Sequence, residues 1–260
     1  MPVICTLASS SRGNASFVAE GHTSLLLDAG ISLRRLSQGL KSLGSSPGCL
    51  SAVLITHEHS DHIMGLPLLA AKYEVPIYCS RGTARALQAQ YPHLKGRMRT
   101  FFAGDAFSVG DFEVRTFPTS HDCAESVGYV MRGGGAKVAL ATDLGCVTQE
   151  VENALKGVDF LLLEANHDIE KLWMGSYPVG LKKRILGKKG HLNNEDSAGL
   201  AVYAARNGTR KIVLVHLSQE NNTPNLAIGA VSRALADSGA GHVMLDAAPP
   251  QTAGNVYILE

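Results

Sequence analysis

The hexapeptide His-Glu-His-Ser-Asp-His at residues 57–62 constrains the fold and chemistry of this chain more than any other segment. It directly follows residues 52–55, an apolar and β-branched run that predicts a buried strand. A strand that ends in such a cluster directs several metal-ligand side chains toward one point. Imidazoles suit zinc, iron or manganese, and a carboxylate among them lets a second cation lie close enough to share a water. Two metal ions in one site indicate a hydrolase.

The composition is that of an ordinary α/β protein. Of the 260 residues, 45% are hydrophobic and 18% are charged, which is enough apolar content for a substantial core. We therefore expect one domain over residues 1–260. The formal net charge of +1 gives no overall attraction to nucleic acid, so any phosphate-binding surface must be local.

The sequence contains no recognisable targeting or membrane segment. The first seven residues lack the basic start and long apolar core of a signal peptide, and no apolar run reaches the length of a membrane helix. Five cysteines, odd in number and without a CxxC spacing, indicate reduced thiols. We therefore expect a cytoplasmic protein that does not contact a membrane.

Short β-type runs and helix-length segments alternate along both halves of the chain. Strands are expected at residues 3–7, 16–19, 24–28, 52–55, 76–78, 112–117, 126–131, 138–141, 158–163 and 211–215, with edge strands at 242–245 and 255–259. Helices are expected at residues 32–43, 62–73, 81–90, 178–187, 195–207 and 224–236. Two similar halves, each with sheet strands and then helices, predict an α/β fold with four layers, an αββα sandwich.

Other predicted strands also end in candidate ligands. His121, Asp143 and His216 each follow a predicted strand, and Asp28 ends an earlier one in the same way. The sheet holds the ends of its strands, so ligands placed there have fixed geometry before metal arrives. Together with residues 57–62, these side chains predict one preformed metal site.

This set of motifs resembles that of the metallo-β-lactamase superfamily across nearly the full chain. The resemblance implies the metallo-β-lactamase sandwich and two divalent metal ions, Mn²⁺ or Zn²⁺, between which the mixed imidazole and carboxylate donors do not decide. The implied ligands of one ion are His57, His59 and His121. The implied ligands of the other are Asp61, His62 and His216, with Asp143 bridging the two ions and Asp28 supporting the site.

The implied chemistry follows from these ligands. Two cations bridged by Asp143 would lower the pKa of a shared water to roughly 7, which makes hydroxide available at neutral pH. Asp61 would orient that hydroxide while it coordinates a metal ion. The attacked centre would be a carbonyl carbon or a phosphorus, and the ligands alone do not distinguish the two.

Glu164 and His191 favour phosphorus as the attacked centre. They resemble the Glu and His of ribonuclease Z and related phosphodiesterases, in which a histidine held by a carboxylate assists the leaving oxygen. A helix expected to start at Asn194 would supply amides that favour an anion. A basic stretch just upstream could follow a phosphate backbone, and it consists of Lys182, Lys183, Arg184, Lys188 and Lys189.

Three further segments resemble the WalJ/YycJ-type metallohydrolases, at residues 9–15, 164–168 and 216–224. That subfamily is regarded as DNA exonucleases that act from the 5′ end. The interval from Asp143 to His216 leaves no room for the large cap of ribonuclease J-like enzymes. The resemblance therefore implies a metal-dependent phosphodiesterase, a 5′-to-3′ exodeoxyribonuclease with DNA as its substrate. Its implied catalytic residues are Asp61, Glu164 and His191.

Several alternatives remain open at this level. A thioesterase or lactonase on the same fold would attack an acyl carbon, and a metal-stabilised module would bind nucleic acid without turnover. RNA is not excluded as a substrate, and the oligomeric state is undetermined. The pair Glu164–His191 could be only a buried hydrogen bond, the basic stretch only a solvated helix face, and His167 a loop hydrogen-bonding residue or a nucleotide contact. The loop at residues 9–14 could be only a turn or could hold a terminal phosphate.

Overall fold

The computed structural model describes residues 1–259, and within them two seven-stranded sheets are present. In spatial order, the first sheet consists of β14 (Tyr257–Ile258), β1 (Val3–Ala8), β2 (Ala15–Glu20), β3 (Thr23–Leu27), β4 (Ala52–Leu54), β5 (Ile77–Ser80) and β6 (Met98–Phe101). The second consists of β13 (Met244–Ala247), β12 (Lys211–Val215), β11 (Phe160–Glu164), β10 (Ala136–Ala141), β9 (Val127–Gly133), β8 (Phe112–Pro118) and β7 (Ala106–Val109).

Helices connect the strands. They are α1 (Leu33–Ser42), α2 (Ser60–Ile63), α3 (Leu66–Lys72), α4 (Arg81–Gln90), α5 (Gln149–Leu155), α6 (Ile169–Met174), α7 (Val179–Ile185), α8 (Asn194–Arg206) and α9 (Pro224–Asp237). Short 3-10 helices cover Pro47–Cys49 and Pro92–Arg97. None of the helices in residues 1–259 is long and apolar enough to cross a membrane.

Successive side chains along a strand divide between two cores. In β3, Leu25 and Leu27 belong to the core between the sheets, whereas Leu26 packs in the same cluster as Leu36 and Leu40 of α1. Strand β11 alternates in the same way between the inter-sheet core and a cluster that includes residues of α5, α8 and α9. Helices therefore cover both outer faces, and the predicted αββα sandwich is confirmed. The interpretation of residues 1–260 as one domain stays a prediction.

Strand direction explains why polar side chains meet at one edge of this sandwich. Strands β1, β2 and β3 pair antiparallel, and β13 and β14 lie at sheet edges as expected. Strands β3 to β6 are parallel to one another, and so are β10 to β13. Parallel strands end along the same edge of their sheet, where α/β folds place their ligands.

Some predicted elements differ from those observed. The predicted helix at residues 62–73 is wrong as one piece, because α2 ends before Gly65 and α3 begins after it. A Cβ at Gly65 would lie 2.1 Å from the carbonyl oxygen of Ile31, so this junction requires glycine. Sequence analysis also missed β6, β7, α5 and α6, which are too short to establish a clear period.

Candidate metal centre

Three polar residues leave their strands in the left-handed region of backbone conformation. Asp28 follows β3, Asp143 lies two residues after β10, and His216 follows β12, with φ values of 58°, 58° and 57°. Within residues 1–259 they are the non-glycine residues that have positive φ. Aspartate and histidine adopt this conformation more often than most residues do. All three side chains are buried, and such strain concentrates at functional sites.

The first ligand group consists of His57, His59 and His121, which each offer a ligand atom within 4.8 Å of the others. The Nε2 of His121 lies 3.2 Å from the Nδ1 of His59 and 3.5 Å from the Oδ1 of Asp143. The Nδ1–H of His121 donates to the carbonyl oxygen of Gly190 at 3.0 Å. This hydrogen bond leaves Nε2 as the nitrogen with a free lone pair.

The second ligand group consists of Asp61, His62 and His216, again within 4.8 Å of one another. The Oδ2 of Asp61 lies 3.3 Å from the Nε2 of His216 and 3.4 Å from the Nε2 of His62. The Oδ2 of Asp143 lies 3.4 Å from the Nε2 of His62. One carboxylate oxygen of Asp143 thus faces each group.

This donor set fits a pair of divalent cations. The Nε2 of His57 is buried and has no hydrogen-bond partner among residues 1–259. A buried nitrogen without a partner is costly, and coordination to a cation would supply the missing interaction. Because the two oxygens of Asp143 face different groups, this residue is placed as a bridging ligand requires. The residues predicted from sequence as ligands are therefore all brought together.

Thr56 and Asn14 help to position the second group, and sequence analysis did not identify them in this role. The Nδ1–H of His62 donates to the Oδ2 of Asp28 at 2.7 Å, and the Thr56 N–H donates to the Oδ1 of Asp28 at 2.8 Å. The Nδ2–H of Asn14 donates to the Oδ2 of Asp61 at 3.3 Å, and the Asn14 N–H donates to the Asp61 carbonyl oxygen at 2.8 Å. The sequence did contain a signal for both, because Thr56 adjoins the hexapeptide and Asn14 lies in the loop at residues 9–15.

Glu164, the last residue of β11, contacts two histidines at once. Its Oε1 accepts from the Nδ1 of His191 at 2.8 Å and from the Nδ1 of His216 at 2.9 Å. Its Oε2 accepts from the backbone N–H groups of Leu144 at 2.8 Å and Leu192 at 3.2 Å. Both oxygens are therefore occupied, although Glu164 also offers a ligand atom within 4.8 Å of those of Asp143, His191 and His216. This geometry suits an orienting residue better than a metal ligand.

The pKa values separate the two groups. Burial lowers the pKa of His57 in the first group well below its usual value. Burial acts the same way on His216 in the second group, but Asp143 and Asp61 outweigh it and raise the pKa of His216 to about 10. Burial raises the pKa of Glu164, whereas its two histidine partners lower it to about 2. The second group therefore lies in a strongly negative environment.

A cleft of about 350 Å³ opens onto both groups. Asp61, Asp143, His191 and His216 all line it. Two arginines held by carboxylates line it as well. Their contacts are hydrogen bonds from Arg12 Nη2 to Glu220 Oε1 and from Arg184 Nη2 to Asp122 Oδ1, each of 3.1 Å. Arginine in a fixed orientation suits the recognition of phosphate oxygens.

The structure corrects the expected basic stretch at one position. Lys182 is buried, and its Nζ donates to the carbonyl oxygens of Trp173 and Gly175, each at 2.7 Å. This lysine is therefore unavailable to a phosphate backbone. The other members of the stretch are exposed, and they are Lys183, Arg184, Lys188 and Lys189.

Several of the backbone amides expected to favour an anion already have partners within the protein. At the start of α8, the Asn194 N–H donates to the His167 carbonyl oxygen, and the Asp196 N–H donates to the Asn193 side chain. In the loop at residues 9–14, the Ser10 N–H donates to the Oδ1 of Asn14 and the Arg12 N–H to the Ser10 hydroxyl. These amides are occupied within the protein. The loop instead presents the side chains of Ser11 and Arg12 to the cleft.

The fold and the two ligand groups define a class of protein. Residues 23–217 match the β-lactamase superfamily domain. The chain belongs to this superfamily, whose metallo-β-lactamase sandwich it adopts.

Named relatives narrow the class. The chain is 40% identical over 240 residues to the exodeoxyribonuclease YycJ of Bacillus anthracis, which covers 90% of this chain and 89% of that protein. It is 37% identical over 238 residues to the exodeoxyribonuclease WalJ of Streptococcus pneumoniae, which covers 90% of this chain and 88% of that protein. Among solved structures, zinc-bound PqqB from Methylobacterium extorquens superposes with a TM-score of 0.75 at 18% identity and covers 100% of both chains.

These comparisons confirm the predicted superfamily, its WalJ/YycJ-type branch and the enzyme class, a hydrolase. The likeness to PqqB bears on the fold alone. The role assigned to each side chain of the site stays a prediction.

Proposed function

We propose that the protein is a metal-dependent 5′-to-3′ exodeoxyribonuclease. One observation supports this most directly, which is that two ligand groups share Asp143 beside the hydrogen-bonded pair Glu164–His191. The names of its close relatives support DNA as the substrate. The guanidinium groups of Arg12 and Arg184 in the cleft suit the phosphates of such a substrate.

The two ligand groups would hold two divalent cations, Mn²⁺ or Zn²⁺. The first cation would be held by His57, His59 and His121, and the second by Asp61, His62 and His216, with Asp143 between them. When bound, such a pair of cations activates a water and neutralises charge that develops on the transferred phosphoryl group.

Asp61 orients the attacking water. The carboxylate is fixed for this purpose by Asn14, whose Nδ2–H donates to the Oδ2 of Asp61. Burial raises the pKa of Asp61, but the adjacent His62 and His216 hold it well below its usual range, so the group is ionised at neutral pH. Asn14 is thereby a positioning residue for Asp61.

His191 assists the leaving oxygen. Its Nδ1–H donates to Glu164, which orients the ring and leaves Nε2 as the nitrogen that can donate a proton to the leaving oxygen. The ring is partly exposed and lines the cleft, so it can reach a substrate. A carbon-centred hydrolase such as a thioesterase or lactonase would leave this pair and the two arginines without a role.

A product ladder tests the proposal. The protein, supplied with manganese, is incubated with 5′-phosphorylated DNA and RNA oligonucleotides, beside the variants Asp61→Asn and His191→Ala. We expect stepwise loss of DNA from the 5′ end, at least about 100-fold slower with Asp61→Asn and clearly slowed with His191→Ala. His93→Ala changes an exposed histidine outside the cleft lining and serves as the matched control.

Other products would contradict the proposal in distinct ways. Cleavage of RNA alone would correct the substrate, and cleavage from the 3′ end would correct the polarity. Hydrolysis of a thioester or lactone without any cleavage of nucleic acid would overturn the assignment to phosphodiesters.

A further inference from the structure

Two adjacent large apolar side chains are exposed at the end of α6. Trp173 is 49% exposed and Met174 is 89% exposed. Most large apolar residues of the chain are buried in its three core clusters. Adjacent exposed apolar side chains of this size indicate a contact with a partner.

A buried lysine holds this pair in place. Lys182 of α7 is 8% exposed, and its ammonium donates to the carbonyl oxygens of Trp173 and Gly175. Lysine is among the residues least often buried, so its use here indicates that the geometry of the turn matters. A Cβ at Gly175 would lie 2.8 Å from the Asn221 side chain, which shows that the turn also packs closely against the loop after β12. The apolar pair is therefore presented by a fixed turn.

The same segment continues into the cleft over the ligand groups. Tyr177, in the connection between α6 and α7, lines the cleft together with Leu181 and Ile185 of α7. Aromatic and apolar side chains of this segment therefore line a cleft that charged residues also line. Aromatic faces beside cations are the combination on which proteins stack the bases of a nucleic-acid strand.

The charges of the segment complement a phosphate backbone. Lys183, Arg184, Lys188 and Lys189 are exposed on α7 and directly after it. The net charge of the whole chain is only +1, so this concentration of positive charge is a local feature. Cations that follow the phosphates and aromatic residues that contact the bases would serve the same strand.

We propose that residues 173–177 form a base-contacting wall for the DNA strand whose end lies in the cleft. Trp173, Met174 and Tyr177 contact nucleobases, and the exposed cations of α7 contact the flanking phosphates. The inference rests on the proposed function, because it takes the strand to be the substrate. It adds the residues that hold the strand outside the ligand groups.

The single tryptophan of the chain provides a direct readout. The variant Asp61→Asn is used so that the substrate stays intact. It is supplied with manganese and titrated with a 5′-phosphorylated oligothymidylate while Trp173 emission is recorded. We expect the oligonucleotide to quench this emission. An oligonucleotide of the same length with abasic sites carries the same phosphates, and we expect it to quench far less.

Binding of a labelled oligonucleotide then measures the contribution of each side chain. Introduced into the Asp61→Asn protein, Trp173→Ala weakens binding of oligothymidylate about 10-fold and leaves binding of the abasic strand nearly unchanged. Met174→Ala has a smaller effect in the same direction. Met244→Ala is the matched control, since Met244 is 48% exposed on the edge strand β13 and its loss leaves binding unchanged. In the active protein, Trp173→Ala raises KM for the oligonucleotide more than it lowers kcat.

The outcomes separate the inference from the proposed function. If DNA is cleaved from its 5′ end but Trp173→Ala binds both strands as the parent does, the base-contacting wall is wrong and the function stands. Equal weakening for the abasic and normal strands would also overturn it, because bases would not be what Trp173 contacts. If the wild-type protein neither binds nor cleaves any nucleic acid, the proposed function is wrong, and the base-contacting wall is wrong with it.

Discussion

The two ligand groups share Asp143 but differ in what stands behind their imidazoles. In the first group, His121 donates to a backbone carbonyl, and the Nδ1 of His57 lies 3.0 Å from the neutral Thr56 hydroxyl. In the second group, His62 and His216 each donate to a buried carboxylate, from Asp28 and Glu164 respectively. A carboxylate behind an imidazole increases the basicity of its coordinating nitrogen. We therefore expect the second group to bind a cation more tightly than the first.

The largest expected effect comes from a substitution at Gly30. The backbone at this residue packs closely against Asp61 of the second group and against Asn14, and we call this contact the junction. A Cβ at Gly30 would lie 1.6 Å from the carbonyl oxygen of Asp61 and 2.7 Å from the amide nitrogen of Asn14. Gly30→Ala must therefore displace Asp61, and we expect it to lower the free energy of unfolding by more than about 3 kcal/mol. Denaturant unfolding and the metal content per chain measure both consequences.

Gly199→Ala is the control for this substitution. Gly199 lies in α8, and a Cβ at this position would meet no atom within 4 Å. Alanine there should therefore leave stability unchanged or raise it by about 1 kcal/mol. If Gly30→Ala retained the stability and metal content of the parent, the junction would not be what fixes Asp61.

His167 provides a third environment, an imidazole without any partner. It is buried, and neither of its ring nitrogens has a hydrogen-bond partner among residues 1–259, so its ring does not make the loop hydrogen bond considered from sequence. Burial lowers the pKa of His167 to about 4. The unfolded chain takes up this proton near pH 6.5, so the stability contributed by the neutral ring is complete above that pH and is lost as the pH falls toward 4.

Replacing this ring tests that assignment. Between pH 7 and pH 4, the free energy of unfolding of the parent should fall by up to about 3 kcal/mol more than that of His167→Phe. Unfolding is measured in chelator, so that release of metal does not contribute. The exposed His93→Phe should leave the pH dependence unchanged, and an unchanged slope in His167→Phe as well would show that His167 is not the titrating group.

These contrasts show which features can be predicted from sequence. The residues that meet at the sandwich edge were predictable because the hexapeptide and the strand-end residues are local patterns, and the sandwich was predictable because apolar runs alternate with helices. The burial of Lys182 was not, since in the sequence it is indistinguishable from its exposed neighbour Lys183. The break at Gly65 likewise depends on the close approach of Ile31, which is distant in sequence. Tertiary packing decides both, and no local pattern records it.

A smaller effect should follow from neutralising the carboxylate behind His62. Asp28→Asn keeps the shape of the side chain but replaces the negative acceptor of the His62 Nδ1–H. We expect a 10- to 100-fold loss of affinity, by the order of magnitude known for such partners, confined to the cation of the second group. Competition with a chelator measures it.

Asp111→Asn provides the matched control. The Asp111 carboxylate accepts from the Thr23 hydroxyl at 2.9 Å, away from the residues that line the cleft. Its neutralisation should leave both affinities unchanged. An equal loss at both ligand groups in Asp28→Asn would contradict the separation of the two sites.

The smallest expected effect is the difference between the two ligand groups of the unmodified protein in their affinity for a cation. Titration with a chelator should remove the two cations in separate steps, with affinities about 10-fold apart, because the second group has one more carboxylate ligand and two carboxylates behind its rings. The metal remaining per chain, measured after each addition, shows whether one cation leaves first.

Variants of the two groups identify which cation that is. His59→Ala impairs the first group and should retain the tightly held cation, whereas His216→Ala impairs the second and should retain the weakly held one. Because Asp143 serves both groups, loss of either cation changes the charge that the other experiences, so the affinities in these variants need not equal those of the stepwise titration. Their order, however, is set by the partners behind the rings. Tighter retention in His216→Ala than in His59→Ala would mean that the shared Asp143, and not those partners, controls the strength of the two sites.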